Sequence, residues 1–291
     1  MSLQFSVIIP VYNNPIGLGK CLQSLLDTDN NNFIYEIIVI DNGSVPPFKL
    51  GCQFFQNTKI ILLNETKVGS YAARNKGIAF AKSDYLAFVD SDCLPKEDWL
   101  RNAQILFSIK EAERICGNIE FSFLSEIPNI YELFDSKFNL QQKKHFHKQS
   151  SVTANLLIKK SVIKKVGFFN DALLSGADID WGLRASNANI RIHFGEKCTV
   201  IHPARNQLSH LLSKKRRVAA GFYQSKPKLT IMRKLTQSIC PPLPSIILNH
   251  AKDNFSFTTS IKLYLLMYRL KLETFQQLFL MCLKLRTAPR D

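Results

Sequence analysis

The sequence lacks the marks of several protein classes. It has seven scattered cysteines, an odd number without any C-x-x-C pair, so it predicts neither a disulfide framework nor a zinc site and favours a reducing compartment. Glycine and proline are few, with 12 of each, which excludes collagen-like and low-complexity chains. No signal peptide is visible, and no window reaches the roughly 18 uncharged apolar residues of a membrane-spanning helix. We therefore expect a cytoplasmic protein.

The chain does contain enough apolar residues for a large core, and its positive charge is unevenly distributed. Of the 291 residues, 46% are hydrophobic and 21% are charged, which is a globular rather than a disordered composition. Residues 206–291 carry 15 basic and 3 acidic side chains, a net charge of +12 out of the total of +15. A basic tail predicts a polyanionic partner, such as membrane head groups, a phosphorylated substrate or nucleic acid.

The first 100 residues alternate strand-like and helix-like patterns. Continuous apolar runs predict the strands, and a 3.6-residue apolar spacing predicts the helices. The strands cover residues 5–11, 35–40, 59–63 and 85–89, and the helices begin at Pro15 and cover residues 70–81. This alternation is typical of a mainly parallel α/β sheet with helices on both faces. Ligands of such sheets bind beyond the carboxyl ends of the strands, so the residues after each strand are the first candidates for a site.

Polar clusters follow three of the predicted strands. Tyr12 and Asn13 follow the first strand, D-N-G-S at 41–44 follows the second, and D-S-D at 90–92 follows the fourth. Two carboxylates two residues apart can share Mg²⁺ or Mn²⁺, which prefer oxygen ligands and keep places for phosphate oxygens. The alternative is a solvated turn, because both motifs also occur as simple turn chemistry.

Arg74 lies in a predicted helix rich in small residues. Its neighbours Ala72, Ala73 and Gly77 would let this helix pack close to the sheet. A guanidinium in that position can reach a base or a diphosphate. The alternative is a surface ion pair.

The second half of the chain is less regular. Residues 122–150 are polar and aromatic, and we expect a mobile substrate loop there. Further strands are predicted at 152–158, 190–194 and 198–201, with one helix through Val166 and another opened by the segment 176–184. The composition changes near residue 206, so we expect a catalytic domain at 1–205 and a basic, mostly helical region at 206–291.

Five motifs in chain order resemble the family 2 glycosyltransferases. They are V-I-I-P-V-Y-N at 7–13, D-N-G-S at 41–44, A-R-N-K-G-I at 73–78, D-S-D at 90–92, and G-A-D-I-D at 176–180 followed by Arg184. The resemblance covers about residues 5–205 and implies a GT-A fold, a nucleotide-diphosphate sugar donor, inversion at the anomeric carbon, and a divalent cation, Mn²⁺ or Mg²⁺. An inverting transfer is one in-line displacement, so a carboxylate must take the acceptor proton while the leaving diphosphate is stabilised opposite.

The resemblance also implies a donor site at the edge of the predicted sheet. Tyr12 would stack on the nucleobase, Asp41 would hydrogen-bond to it, and Arg74 would contact the base or the phosphates. Asp92 would be the principal metal ligand, with Asp90 on ribose or metal. His202 would be a further metal or diphosphate contact, or else a strand-end histidine with local hydrogen bonds. The implied nucleotide-binding residues are Pro10, Tyr12, Asn13, Asp41, Arg74, Asp90 and Ser91.

The implied catalytic base is Asp178, the second member of a Glu-Asp pair in the family. Here Ala177 replaces the Glu, and this departure leaves Asp180 as a competing candidate. Arg184 would orient these carboxylates, or it is a helix-surface charge. Trp181 would stack on an acceptor sugar or lipid, with a core position as the alternative. The segment at 153–155, which ends at Asn155, resembles the segment that borders the donor sugar in relatives.

The basic tail predicts a second contact. Residues 261–285 form a very apolar helical pattern with a polar stripe that includes Lys262, Arg269, Glu273 and Gln277. With the basic cluster at 214–217, such a helix suits an anionic membrane interface, which favours peripheral attachment to the cytoplasmic face and a glycan or lipid-linked acceptor. The alternatives are a helix that packs on the catalytic domain or on the second subunit of a homodimer.

Three other functions compete with the glycosyltransferase prediction. A nucleotidyltransferase shares the α/β layout, but the segment Pro10–Asn14 lacks the Gly-rich, basic loop of that class. A catalytically inactive sugar-nucleotide-binding or scaffold protein is favoured only by Ala177. A nucleic-acid-binding protein rests on charge alone, without a recognisable motif. The sequence therefore favours an enzyme, and it leaves the donor sugar, the nucleobase and the acceptor open.

Overall fold

A computed structural model describes residues 3–29, 32–49, 51, 54, 57–243 and 255–285. The chain forms two compact units. Unit 1 comprises Met1–Ser122, Leu140–Ala172 and Ala177–Pro203, and unit 2 comprises Phe123–Asn139, Leu173–Gly176 and Ala204–Asp291. The sequence predicts a domain boundary between residues 205 and 206. The last segment of unit 2 begins two residues earlier, at Ala204.

The described residues contain strands and helices in alternation. The strands are β1 (Phe5–Val11), β2 (Ile34–Asp41), β3 (Ile60–Asn64), β4 (Tyr85–Val89), β5 (Leu94–Pro95), β6 (Arg114–Ser122), β7 (Asn155–Lys159) and β8 (Ile192–Pro203). The helices are α1 (Pro15–Thr28), α2 (Ser70–Phe80), α3 (Trp99–Ile109), α4 (Ile130–Phe138), α5 (Gln142–His147), α6 (Lys160–Val166), α7 (Ala177–Asn187), α8 (Leu208–Ser225), α9 (Lys228–Ile239) and α10 (Phe257–Cys282). The four strands predicted in the first 100 residues are confirmed to within one residue.

Unit 1 contains one eight-stranded sheet in the order β3-β2-β1-β4-β7-β6-β8-β5. The pairs β3/β2, β2/β1, β1/β4 and β6/β8 are parallel, whereas β7 is antiparallel to both its neighbours and β5 is antiparallel to β8. The predicted mainly parallel α/β fold is confirmed. The antiparallel strand β7 matters for the site, because it lets β4, β6 and β8 all point their carboxyl ends to the same edge.

The two faces of β1 show why helices cover both sides of the sheet. Alternate residues of a strand point to opposite faces, and Val7 and Ile9 join a core that also holds Leu18 of α1 and Phe107 of α3. On the other face Ile8 meets α2, and a Cβ on Gly77 would lie 2.6 Å from the Ile8 side chain. The close packing that the small residues of this helix predict is therefore confirmed.

Several sequence expectations for the second half of the chain are corrected by the structure. The segment 122–150 is not an irregular loop, because it contains the helices α4 and α5. The capping box of Asn129 and Glu132 starts α4. This helix-start signal is present in the sequence, but the prediction for this segment did not include it. The strands predicted at 190–194 and 198–201 are one strand, β8, interrupted by a shift of its register with β6.

Unit 2 contains α4, α8, α9 and α10, and its core holds apolar side chains of all four helices. The helix predicted at 261–285 is observed as α10, and its polar stripe is only partly a solvent face, since Lys262 and Arg269 are exposed. Glu273 and Gln277 are buried, whereas Leu265 is exposed. The apolar face of α10 packs against the other helices of unit 2 and includes the buried residues Leu263, Leu270 and Leu278. None of the helices in the described part of the chain is long and apolar enough to cross a membrane.

Candidate active site

The sheet of unit 1 gathers the polar ends of several strands at one edge. The chain runs from β1 through β2 to β3 on one side and then returns to place β4 on the other side of β1. Such a reversal of strand order leaves a crevice beyond the carboxyl ends of the two strands. Tyr12 and Asn13 follow β1 there, Asp41 ends β2, and Asp90 follows β4.

The loops after β1 and β2 are tied to each other through side chains. The Asp41 carboxylate accepts hydrogen bonds from the backbone N–H groups of Ser44 (3.0 Å) and Phe48 (2.9 Å). Asn13 has a positive φ of 48°; its backbone N–H donates to Ser44 Oγ and its Oδ1 accepts from Val45 N. These bonds fix the rim beside the half-buried Tyr12, while Pro10 pairs with Ile40 inside the sheet.

Arg74 and Asp90 form a close ion pair at this edge. Arg74 is only 4% exposed, its Nη2 lies 2.5 Å from Asp90 Oδ1, and its guanidinium lies 5.6 Å from the Tyr71 ring centroid. The buried Nε of Arg74 has no hydrogen-bond partner among the described residues. A buried unpaired donor is costly, so an acceptor from a ligand would relieve it. Arg74 is thus not the surface charge that the alternative interpretation expected.

Asp92, Cys93 and His202 form a second cluster. Their ligand atoms lie within 4.8 Å of one another, because the short antiparallel pairing of β5 with β8 brings the D-S-D turn next to the end of β8. His202 is buried, and its Nε2 lies 3.6 Å from Asp92 Oδ2. Ser91 lies beside them and its Oγ accepts from Asn14 Nδ2 at 3.2 Å.

The Nε2 atom of the histidine in this cluster faces a carboxylate. His202 Nδ1 lies 2.7 Å from the Pro203 carbonyl, so we assign the Nδ1 proton to that hydrogen bond. The Nε2 lone pair of a neutral ring then faces the Asp92 carboxylate, and two acceptors at that distance repel unless a proton or a metal ion lies between them. The carboxylate suits Mn²⁺ or Mg²⁺, whereas the imidazole is a softer ligand that Mg²⁺ takes less readily than oxygen. Burial and the nearby carboxylates raise the pKa of the Cys93 thiol and make it a poor ligand.

Asp178 lies in the first turn of α7, and most of its carboxylate is enclosed. It is 8% exposed, and its Oδ1 accepts from the Tyr71 hydroxyl at 2.9 Å and from Ile179 N. Its Oδ2 has a single long contact of 3.4 Å, to Thr153 N, so this oxygen keeps the capacity to accept a proton. Burial, with the Asp178 carboxylate as a second cause, raises the pKa of Tyr71 well above its ordinary value and keeps the phenol a donor.

Asp180 lies two residues away, in a different setting. It is half exposed and forms an ion pair of 3.0 Å with Arg184, one turn along α7. The remaining guanidinium nitrogens of Arg184 donate to the carbonyl oxygens of Val166 and Phe168. This pair fastens α7 to the segment after α6. It does not touch Asp178.

Asn155 and Trp181 are both part of the framework. Asn155 is fully buried; its Oδ1 accepts from Trp99 Nε1, and its Nδ2 donates to the carbonyls of Asn118 and Cys198. Trp181 is 1% exposed, and its Nε1 donates to Gly167 O at 2.8 Å. The core position that we considered for Trp181 is therefore the observed one. Every polar atom of both side chains therefore has a partner within the fold.

Tyr71 and His145 were missed by sequence reasoning, and Thr153 was recognised only as part of the segment that also contains Asn155. Tyr71 directly follows the start of α2, and Thr153 precedes β7; nothing in their local patterns points to Asp178, 107 and 25 residues away. His145 of α5 also feels the Asp178 carboxylate, although burial is the larger cause and lowers the pKa of its imidazole. Only the packing of separate elements reveals these neighbours.

Comparisons with known proteins agree with the geometry. Residues 6–167 match Glycosyl transferase family 2. The chain is 37% identical over 227 residues to glycosyltransferase AglE of Haloferax volcanii, across 75% of this chain and 73% of that protein. It is 29% identical over 217 residues to the pre-mycofactocin glycosyltransferase of Mycobacterium tuberculosis, across 72% of this chain and 45% of that protein.

Solved structures support the same fold. S. aureus TarS in complex with UDP-GlcNAc matches with a TM-score of 0.54 at 18% identity, across 78% of this chain and 68% of that chain. TarS in complex with UDP matches with a TM-score of 0.53, again at 18% identity, across 78% of this chain and 67% of that chain. At this identity the likeness concerns the fold alone.

Proposed function

The chain belongs to Glycosyl transferase family 2, and from that premise we propose that it is a metal-dependent, inverting glycosyltransferase. It would move a sugar from a nucleotide diphosphate to a hydroxyl group of an acceptor. One observation carries the proposal: a continuous series of contacts joins the Asp178 carboxylate to the Tyr71 hydroxyl, the Tyr71 ring to Arg74, and Arg74 to Asp90. A candidate base and a candidate diphosphate site thus belong to one connected network.

We assign the donor to the edge formed after β1, β2 and β4. Tyr12 would stack on the nucleobase and Asp41 would accept from it, with Pro10, Asn13 and Ser91 shaping the rim. The support is the rigid rim around Asp41 and the complex of the TarS structure with UDP-GlcNAc. The unpartnered Nε of Arg74 would donate to a phosphate oxygen, since guanidinium groups bind phosphate well.

We assign a divalent cation to Asp92 and His202, with Asp90 as the carboxylate that Arg74 positions. When bound, the cation would offset the charge that develops on the leaving diphosphate. The support is the orientation of His202 towards Asp92. Arg74 adds a fixed positive charge at the same edge, which stabilises the leaving group without any rearrangement.

We assign the base to Asp178 and not to Asp180. A base must have an oxygen free to take the acceptor proton, and Asp178 Oδ2 has only one long contact. Asp180 is engaged by Arg184, which itself holds two carbonyl groups. Asn155, Trp181 and Arg184 then act by holding α7 and β7 in place, rather than by contact with the acceptor.

The runner-up is a catalytically inactive protein that binds sugar nucleotides. Ala177, which stands where the family has Glu, is the residue in its favour; it is fully buried, and its methyl group supplies no polar contact. Donor binding without turnover would support this alternative.

A donor screen tests the proposal. Full-length protein is incubated with a panel of nucleotide-diphosphate sugars, first with Mn²⁺ or Mg²⁺ and then with EDTA, and nucleoside diphosphate release is measured. We expect release from at least one donor, loss of release with EDTA, and loss in Asp92→Asn. Release that EDTA leaves unchanged would contradict metal dependence, and thermal stabilisation by a donor without any release would support the inactive alternative.

Peripheral binding to an anionic membrane, with a lipid-linked acceptor, is the remaining part of the proposal. The structure changes which residues would carry it: two members of the cluster at 214–217 are engaged internally, Lys214 with Asp135 and Arg216 with Glu273. The exposed face of α9 offers Leu229 (83% exposed) and Met232 (55% exposed). Its basic neighbours are Lys226, Lys228 and Arg233.

Liposome flotation separates this face from a homodimer interface. Full-length protein should float with anionic vesicles, and replacement of Lys226, Lys228 and Arg233 by Gln should weaken flotation, because each basic residue near such a surface contributes about 1 kcal/mol. Failure to float, together with a dimer in solution that Leu229→Asp dissociates, would assign the face to a second copy instead.

A further inference from the structure

Unit 2 contains a cavity that the proposed transfer reaction does not use. Its volume is about 560 Å³, which is within the range of small-molecule sites. All its lining residues belong to unit 2. Three are lysines, Lys215 of α8, Lys234 of α9 and Lys271 of α10, and three are large apolar side chains, Phe134, Met267 and Leu270.

The three lysines lack a counter-charge of their own. None of them forms an ion pair within the described residues, and each is only half exposed. Burial is the main cause that lowers the pKa of Lys215, and the positive charge of Lys234 adds to it. Like charges held together in a partly dehydrated cavity are unfavourable, and a bound anion would remove that cost.

The carboxylates of unit 2 are already engaged elsewhere. Asp135 is fully buried and faces Arg205 at 3.1 Å and Lys214 at 3.7 Å. Glu273 faces Arg216 and Arg269, and Glu132 caps α4. Within the described part of unit 2, these buried acids therefore have cationic or backbone partners other than the cavity lysines. Among the described residues, Asp135 offsets part of the charge of Lys215, and Lys234 and Lys271 form no ion pair, so a bound anion would supply the rest.

The apolar lining limits the chemistry of the occupant. Phe134 and Leu270 are almost fully buried in the core of unit 2 and form the base of the cavity. Half-buried Met267 and the methylene groups of the lysines form its apolar wall. An inorganic anion alone would leave that wall facing water. A phosphate group suits the ammonium groups, because it offers several oxygens to separate donors, and a hydrocarbon chain suits the wall.

We propose that this cavity binds an amphiphilic phosphate, a molecule with one phosphate group joined to a hydrocarbon chain. The phosphate would contact Lys215, Lys234 and Lys271, and the first part of the chain would cover Phe134, Met267 and Leu270. This site is additional to the donor site of unit 1. It stands independently of whether the protein transfers a sugar.

Thiol protection gives a direct test, because Cys240 lines the cavity and Cys282 does not. Both thiols are exposed, so Cys282 is an internal control. Full-length protein is alkylated with iodoacetamide, and the rate at each cysteine is followed by peptide mass spectrometry. The probes are octyl phosphate, inorganic phosphate and 1-octanol, which separate the amphiphile from its charged and apolar parts. We expect octyl phosphate to slow alkylation of Cys240 at least fivefold and to leave Cys282 unchanged.

Two variants and a matched control complete the test, with affinity measured by calorimetry. Replacing Lys215, Lys234 and Lys271 by Gln should weaken octyl phosphate binding at least tenfold. The control replaces Lys164, Lys262 and Lys284 by Gln, which removes the same charge from exposed positions outside the cavity and outside the α9 face, and should stay within twofold of wild type. Met267→Trp, which fills the cavity and keeps the lysines, should also weaken binding.

Several results would overturn the proposal. They are equal protection of Cys240 and Cys282, equal affinity for octyl phosphate and inorganic phosphate, equal affinity for octyl phosphate and 1-octanol, and equal loss of binding in the lysine variant and its control. None of these results would affect the donor screen, so failure of this site and failure of the proposed transfer reaction are distinguishable.

Discussion

Unit 1 and unit 2 hold their charged side chains in different ways. At the sheet edge of unit 1, Asp90 faces Arg74, Asp92 faces His202, and Asp178 accepts from Tyr71. In unit 2 the cations are in excess, so that Asp135 is shared by Arg205 and Lys214, while the cavity lysines form no ion pair within the described residues. The difference matches the two sites that we propose: a pre-arranged catalytic edge in unit 1, and a positively charged cavity in unit 2 that binds an anion.

The largest expected effect tests the catalytic side of this comparison. Asp178→Asn should keep donor binding and lower kcat by about 10²-fold or more, because a general base typically contributes that much. The measurement is transfer with the donor found in the screen, with donor affinity measured by calorimetry in parallel. If Asp180→Asn is the severe change and Asp178→Asn is nearly silent, the base has been assigned to the wrong carboxylate.

The next prediction concerns the excess of cations in unit 2. Burial, with Arg205 as a further cause, lowers the pKa of Lys214 from 10.5 to about 7, despite the opposing effect of Asp135. Between these pH values the unfolded chain binds more protons at this residue than the folded chain does. Its contribution to the free energy of unfolding therefore rises with pH from about 7 to about 10.

Denaturant unfolding of wild type and Lys214→Met at several pH values measures this contribution. The difference in unfolding free energy between them should change by about 4 kcal/mol across that range, because each pH unit in which only the unfolded chain binds the proton contributes about 1.4 kcal/mol. Burial raises the pKa of buried thiols, for example that of Cys116 to about 11, so their contribution to the free energy of unfolding falls with pH. This contribution is the same in wild type and in Lys214→Met and cancels when the two are subtracted. Lys226→Met is the surface control. A pH-independent difference would mean that Lys214 is not a destabilised buried cation.

A smaller effect is expected at Tyr71. Tyr71→Phe removes the hydroxyl that donates to Asp178 but keeps the ring under Arg74. One hydrogen bond to a carboxylate is worth about 1.5 kcal/mol, so kcat should fall about tenfold with KM for the donor nearly unchanged. Phe169, which packs on the same ring, offers the control Phe169→Leu. A change in KM alone would show that Tyr71 serves donor binding and not the base.

The smallest effect is expected at Asp180. Asp180→Asn loses a half-exposed ion pair with Arg184, and such pairs contribute about 0.5 kcal/mol. We expect unfolding by urea to shift only slightly and kcat to stay within about threefold of wild type. A large loss of stability would show that the attachment of α7 depends on this pair.

The sequence predicted the fold of unit 1 well where strong local patterns coincide. The apolar runs of β1, β2 and β4 fix their positions, and parallel pairing then brings Tyr12, Asp41 and Asp90 to one edge. Local sequence patterns do not predict the contact between Asp92 and His202. It depends on the two-residue strand β5, whose pattern is too short to recognise.

The sequence was a poorer guide where a side chain's role depends on its distant partners. Asn155 resembles a sugar-binding residue in its motif, but it joins Trp99, Asn118 and Cys198 inside the fold. Part of the polar stripe predicted on α10 is buried for the same reason, because Glu273 pairs with Arg216 of α8. A polar residue in a helical pattern predicts solvent only when no partner is available elsewhere.

The most direct test of the catalytic edge is a Mn²⁺ titration followed by electron paramagnetic resonance, with nucleoside diphosphate present. Wild type should bind one Mn²⁺ per chain with the nucleotide, Asp92→Asn should weaken that binding at least tenfold, and Glu97→Gln, which alters an exposed carboxylate five residues away, should match wild type. Binding of Mn²⁺ that is the same in Asp92→Asn and in wild type would contradict the assignment of the metal site and, with it, the account of the sheet edge as the catalytic centre.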